Sequence, residues 1–138
     1  MRNDKDNIIV NETIEFSLAI INYCELLEQK KKFVIAKQLL RSATSIGANC
    51  LRLKMQKAKA DFIHKMKIAA KEASEKLYWL ILCERNIAYH CDAKFRNDLN
   101  DIIRILSKII SSTKGKISGF IWMLLYSFSN FQIFKLTH

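Results

Sequence analysis

Hydroxyls, histidines and thiols are the residues that would make this chain an enzyme, and their spacing assembles no catalytic set. Thr44 and Ser45 sit inside a helical pattern, yet no His stands at helical reach of either. A hydroxyl without a neighbouring base is a poor nucleophile. His64, His90 and His138 are scattered along the chain. Gly47 stands alone, without the Gly-rich loop that cradles a phosphate. Asp98 and Asp101 share one side of a helix at i, i+3, which a solvated face explains. Cys24, Cys50, Cys83 and Cys91 form no C-x-x-C pair. His90-Cys91 with Cys83 is half of a metal site, and two more ligands at usable spacing are missing. The expectation is a non-catalytic protein with no cofactor and no metal. Free or buried thiols and the lack of a signal peptide place it in a reducing cytoplasm.

The basic residues are the stronger chemical signal. Lys and Arg number 23 against 13 Asp and Glu, a net charge of +10. Such an excess favours polyanions: nucleic acid, an anionic membrane surface or an acidic protein. The candidate nucleic-acid contacts are Lys37, Arg41, Arg52, Lys54, Lys57, Lys59, Lys65, Lys67 and Lys71. Lys37 and Arg41 share one helix face, and Lys67 and Lys71 another. A surface of this kind holds phosphates without reading bases, since no base-reading signature is present. Tyr78 and Trp79 are able to stack on bases, but their place beside an apolar seam suits a core or subunit contact.

These residues need long helices to position them. The chain of 138 residues is half hydrophobic, has no Pro, and has Gly only at 47, 115 and 119. That is poor material for β-hairpins, which rely on Gly and Pro turns. Residues 1–10 read as a frayed lead-in, and Asn11-Glu12-Thr13 offers a helix start. A first helix is expected over residues 12–30, with Ile14, Leu18 and Ile21 joining Phe16, Ile20, Tyr23 and Leu27 in a broad apolar face. The second starts near Phe33. In it Ala36, Leu39, Leu40, Ala43, Ile46 and Gly47 share a stripe, while Lys37, Arg41, Ser45 and Asn49 line another face. Gly47 costs about 1 kcal/mol against Ala in a helix, which close approach of a neighbouring backbone would justify.

Asp61 is the best start for a third helix, whose seam is Phe62, Met66, Ala69, Ala73, Leu77 and Leu80. Glu72 and Lys76 are placed as a surface i, i+4 pair there. This helix is expected to end near Asn86. After a polar link over residues 88–92, a fourth carries Phe95, Leu99, Ile102, Leu106 and Ile109, broadened by Ile103 and Ile110. The pattern predicts an all-α, antiparallel up-and-down four-helix bundle over residues 1–113. Residues 114–138 form an additional hydrophobic, aromatic-rich C-terminal segment, uncharged over 117–134. That segment has three readings: an arm packed on its own or a neighbouring bundle, a membrane-seeking stretch, or an extension without a selected role.

Residues 37–49, KQLLRSATSIGAN, followed by DFIHKM at 61–66, IAAKEASE at 68–75 and Tyr78-Trp79-Leu80, resemble the signature of a bacterial four-helix-bundle family. Its members include proteins encoded in intervening sequences of 23S ribosomal RNA genes. The resemblance covers residues 7–113, with two long blocks in register. Four positions depart from it. Leu51-Arg52 replaces a small residue and an acid, Ala58 replaces a frequent Ser, and Lys76 takes a usual Thr position. Arg52 and Lys76 both add to the basic character. The family is similar in fold to the accessory protein of diversity-generating retroelements, a basic pentameric barrel that binds nucleic acid and a reverse transcriptase. The resemblance therefore implies a homo-oligomer, a pentamer by analogy, with RNA or DNA and a reverse-transcriptase-type protein as partners. The residues leave two further alternatives open: a structural protein–protein interaction bundle whose charge serves solubility, or membrane association through the C-terminal segment.

Overall fold

In the computed structural model the described residues are 4–55 and 59–114. They form helices α1 (Asp4–Gln29), α2 (Phe33–Met55), α3 (Lys59–Arg85) and α4 (Ala93–Lys114), with a short 3-10 turn (Ile87–Tyr89) before α4. Each helix packs on its neighbours in sequence, and α4 returns to α1, closing an up-and-down four-helix bundle. The expected C-terminal segment beyond Lys114 lies outside the described residues.

The core is a set of apolar stripes meeting on the bundle axis: Ile20 and Leu27 from α1, Leu39 and Ile46 from α2, Leu80 from α3 and Leu106 from α4 are all buried. Apolar burial at three- and four-residue steps supplies most of the helical stability here, since isolated helices are marginal.

α1 begins eight residues earlier than its polar start signal suggested. Ile9 and Val10 are buried in the core, and the Thr13 hydroxyl donates back to the Ile9 and Val10 carbonyls at 2.9 Å each. A Thr bonded in this way is inside a helix and caps nothing. The stripe Ile9, Thr13, Phe16, Ile20, Tyr23, Leu27 continues the seam backwards, and burying Ile9 and Val10 outweighs the local cap. The apolar face is correspondingly narrower than expected: Ile14 and Leu18 are exposed, and Ile21 is only half-buried.

Gly47 lies where α2 meets α1, although no backbone presses on it. A Cβ there would meet the Ser17 Oγ at 3.5 Å and the Thr13 carbonyl at 3.9 Å, which is ordinary contact. The Ser17 hydroxyl lies between two carbonyls, Thr13 at 2.7 Å and Ala43 at 3.1 Å, and so links α1 to α2. The Cys24 thiol makes a second link, donating to Ala36 at 3.3 Å.

At the opposite end from the α2–α3 connection, two turns are tied together. α1 closes with Lys31 in the left-handed region (φ 59°). There the Lys32 N–H reaches the Leu27 carbonyl and the Lys31 N–H reaches that of Glu28, both at 2.8 Å, an arrangement that satisfies the last carbonyls of the helix. Lys30 Nζ donates to His90 Nδ1 at 3.1 Å, and Lys32 Nζ lies 5.2 Å from the Tyr89 ring centroid. Beneath them the Tyr23 hydroxyl donates to the Tyr89 carbonyl at 2.8 Å. Burial, with Cys83 and Cys91 close by, pushes the Tyr23 phenol well above its ordinary range.

Candidate nucleic-acid interface

α2 carries Lys37, Arg41, Arg52 and Lys54 and not one acidic residue. Lys37, Arg41 and Arg52 are exposed, as are Thr44 and Ala48 between them. Their spacing sets all five on one outward stripe. Lys54 is on the last turn of α2 and Lys59 opens α3, but their side chains lie outside the description, and Lys57 lies outside the described residues.

The α3 candidates divide between two sides. Lys67 and Lys71 fall on the outward face with the exposed His64 and Tyr78. Lys71 is exposed and pairs with Glu75 at 3.8 Å, and Lys67 is half-buried with interactions of its own. Lys65 is half-buried and shares the side of α3 that carries Glu72 and Lys76. The fold thus assembles one coherent basic stripe, on α2, and a second, partly neutralised set on α3. Tyr78 is exposed while Trp79 packs against the core.

Lys76 departs furthest from expectation. It is 0% exposed, and its Nζ has no hydrogen-bond partner. It adds nothing to the basic surface, and no surface pair with Glu72 forms. The signal was present in the sequence: 69, 76 and 83 are one heptad apart, and Ala69 and Cys83 are buried on either side of it. Burial pulls the Lys76 amine down to about 7 from 10.5, against weaker opposing pulls from Cys24 and Glu72.

Of the hydroxyls considered for catalysis, that of Thr44 is bound to its own helix. Thr44 donates to the Leu40 and Arg41 carbonyls at 2.9 and 3.1 Å, and the Ser45 carbonyl accepts from Asn49 Nδ2 at 2.9 Å. All four cysteines are free. Burial pushes Cys24 up to about 11 and Cys50 up to about 12, so these thiols are protonated at neutral pH. Among the described residues no group of three or more His, Cys, Asp or Glu is placed to hold a metal, and no helix is long and apolar enough to cross a membrane.

Four antiparallel helices around one apolar core, with a basic stripe standing outward on α2, define a small helical-bundle protein whose distinctive chemistry is surface charge. The chain belongs to the 23S rRNA-intervening sequence protein family, whose model matches residues 5–112. It is similar to a crystal structure from Bacteroides thetaiotaomicron, described as a protein of unknown function from the S23 ribosomal protein family. The two are 41% identical with a TM-score of 0.69, over 78% of this chain and 98% of that one. No curated protein matches the chain.

Proposed function

We propose that this protein is a non-catalytic oligomeric scaffold that holds RNA or DNA by its phosphates, through the outward stripe of α2. The observation that carries this reading is the segregation of charge. α2 has Lys37, Arg41 and Arg52 exposed and no carboxylate, whereas α1 carries Asp4, Asp6, Glu12, Glu15, Glu25 and Glu28 against Lys5 alone. A polyanion is therefore attracted to one side of the bundle and repelled from another. The stripe offers point charges without a groove-entering element, so binding follows phosphate density and not base sequence. The family description names an intervening sequence of 23S rRNA, which makes ribosomal RNA the first polyanion to test. Exposed apolar residues on α1 and α2, among them Leu18, Val34 and Met55, support contact between copies of the chain or with a polymerase-type protein.

The test is fluorescence anisotropy of a labelled 23S rRNA fragment and an unrelated RNA of equal length, titrated from low to moderate salt. The expected result is equal affinity for both, falling with a log–log slope of about −0.7 to −0.9 for each phosphate held. Binding that ignores salt overturns the reading. Light scattering on the same preparation is expected to give a multiple of the 16.1 kDa chain mass, and a monomer removes the oligomeric part.

A further inference from the structure

Lys76 occupies a place where a charged amine has nothing to bind. Its side chain is 0% exposed, Nζ has no hydrogen-bond partner, and the nearest aromatic ring, Phe16 of α1, has its centroid 5.9 Å from Nζ. Burying an unpaired ammonium costs far more than burying the neutral amine. Two titratable groups act on it, Cys24 from α1 and Glu72 one turn earlier on α3 itself. Among the described residues no titratable group of α2 or α4 acts on it. Cys24 is protonated at neutral pH, since burial pushes it up to about 11, and it supplies no counter-charge. Glu72 is half-buried at the border with solvent and does not bond Nζ. The amine is therefore packed as a neutral group, its methylene stem serving as core filler between α3 and α1.

We propose that Lys76 is a proton-operated latch between α1 and α3: neutral, it rests in the core against Phe16, and protonated, it leaves the core along α3 toward the Glu72 carboxylate and loosens α1. The outward arrangement hydrates the charge and sets it four residues after Glu72, the favourable order for a helical pair. It also leaves an unfilled volume beside Phe16, which weakens the core. One proton thus selects between a filled core and a satisfied charge. Burial places that choice at about pH 7, whereas an unfolded lysine holds its proton to roughly pH 10.4. Between those two values Lys76 binds more protons in the unfolded chain than in the folded one. The Lys76 contribution to stability therefore rises with pH across this window, by at most about tenfold in the folding constant per unit, and is constant below and above it. The raised thiols act in the opposite sense above about pH 9, where unfolded cysteines ionise first.

The experiment compares the full chain with Lys76→Met by urea unfolding at pH 6, 7, 8 and 9, alongside a lysine-¹³Cε NMR titration of the unmutated protein. Lys76→Met is expected to have the larger folding constant at pH 6, with its advantage shrinking steeply between pH 7 and 9. One lysine signal is expected to titrate near 7. A gap that does not change with pH, or lysines that all titrate above 9, overturns the latch. The NMR titration stands even if the variant fails to fold. Glu72→Gln is expected to lower the midpoint of that one signal, and an unchanged midpoint overturns the outward docking on Glu72.

Discussion

At the scale of single residues, a side chain's type was easier to read than the inward or outward direction it takes. Gly47 shows this in one sense and Lys76 in the other. Gly47 belongs to a stripe of small residues, and its type suggested a backbone contact that only glycine permits. The neighbours an added methyl would meet are 3.5 and 3.9 Å away, so it would fit in ordinary contact and only the helix-propensity cost remains. Gly47→Ala is expected to stabilise the bundle by about 0.5–1 kcal/mol, read as a higher urea midpoint at unchanged slope. A destabilisation of similar size would mean that the Ser17 bond to Ala43 depends on the missing methyl. Lys76 was assigned to the surface because lysine is almost never fully buried. Its heptad register with Ala69 and Cys83 said otherwise, and register is the better guide inside a continuous helix.

At the scale of the elements, the four stripes and most of their ends were legible because apolar periodicity is a local property. The start of α1 was not, since the cap signal at Asn11 competes with burial of Ile9 and Val10, and burial depends on a neighbour the local sequence does not name. Pairing between helices is non-local for the same reason. Glu84 and Arg96 are joined at 3.0 Å with both side chains largely shielded from solvent. Each opposes its own helix dipole, a carboxylate in the last turn of α3 and a cation near the start of α4, so the mutual bond must offset both. Arg96→Met leaves Glu84 shielded and unpaired, and is expected to cost about 2–3 kcal/mol. Replacing both by Met should recover most of that loss in thermal unfolding. A double variant as unstable as the single one would show that packing, and not the ion pair, fastens α3 to α4.

For the whole molecule, the net charge of +10 is plain from composition, but its distribution is a property of the fold. Lys76 disappears into the core, Lys65 and Lys67 are half-buried, and Lys71 shares its charge with Glu75. On α4, Arg104 meets Asp101 at 3.1 Å, while α2 alone presents a described basic stripe with no acid on its own helix. This asymmetry is what the proposed phosphate-binding face on α2 rests on. Lys37→Glu with Arg41→Glu, and Arg104→Glu with Lys108→Glu, change the net charge by the same amount on opposite elements. If the α2 stripe holds phosphates, the first pair lowers RNA affinity by at least about tenfold and flattens the salt slope by about 1.4–1.8, two phosphates' worth. The second pair then leaves the slope unchanged, with only a small loss of affinity from long-range attraction. Equal losses from both pairs would mean that net charge alone draws the polyanion, and that α2 is not its site.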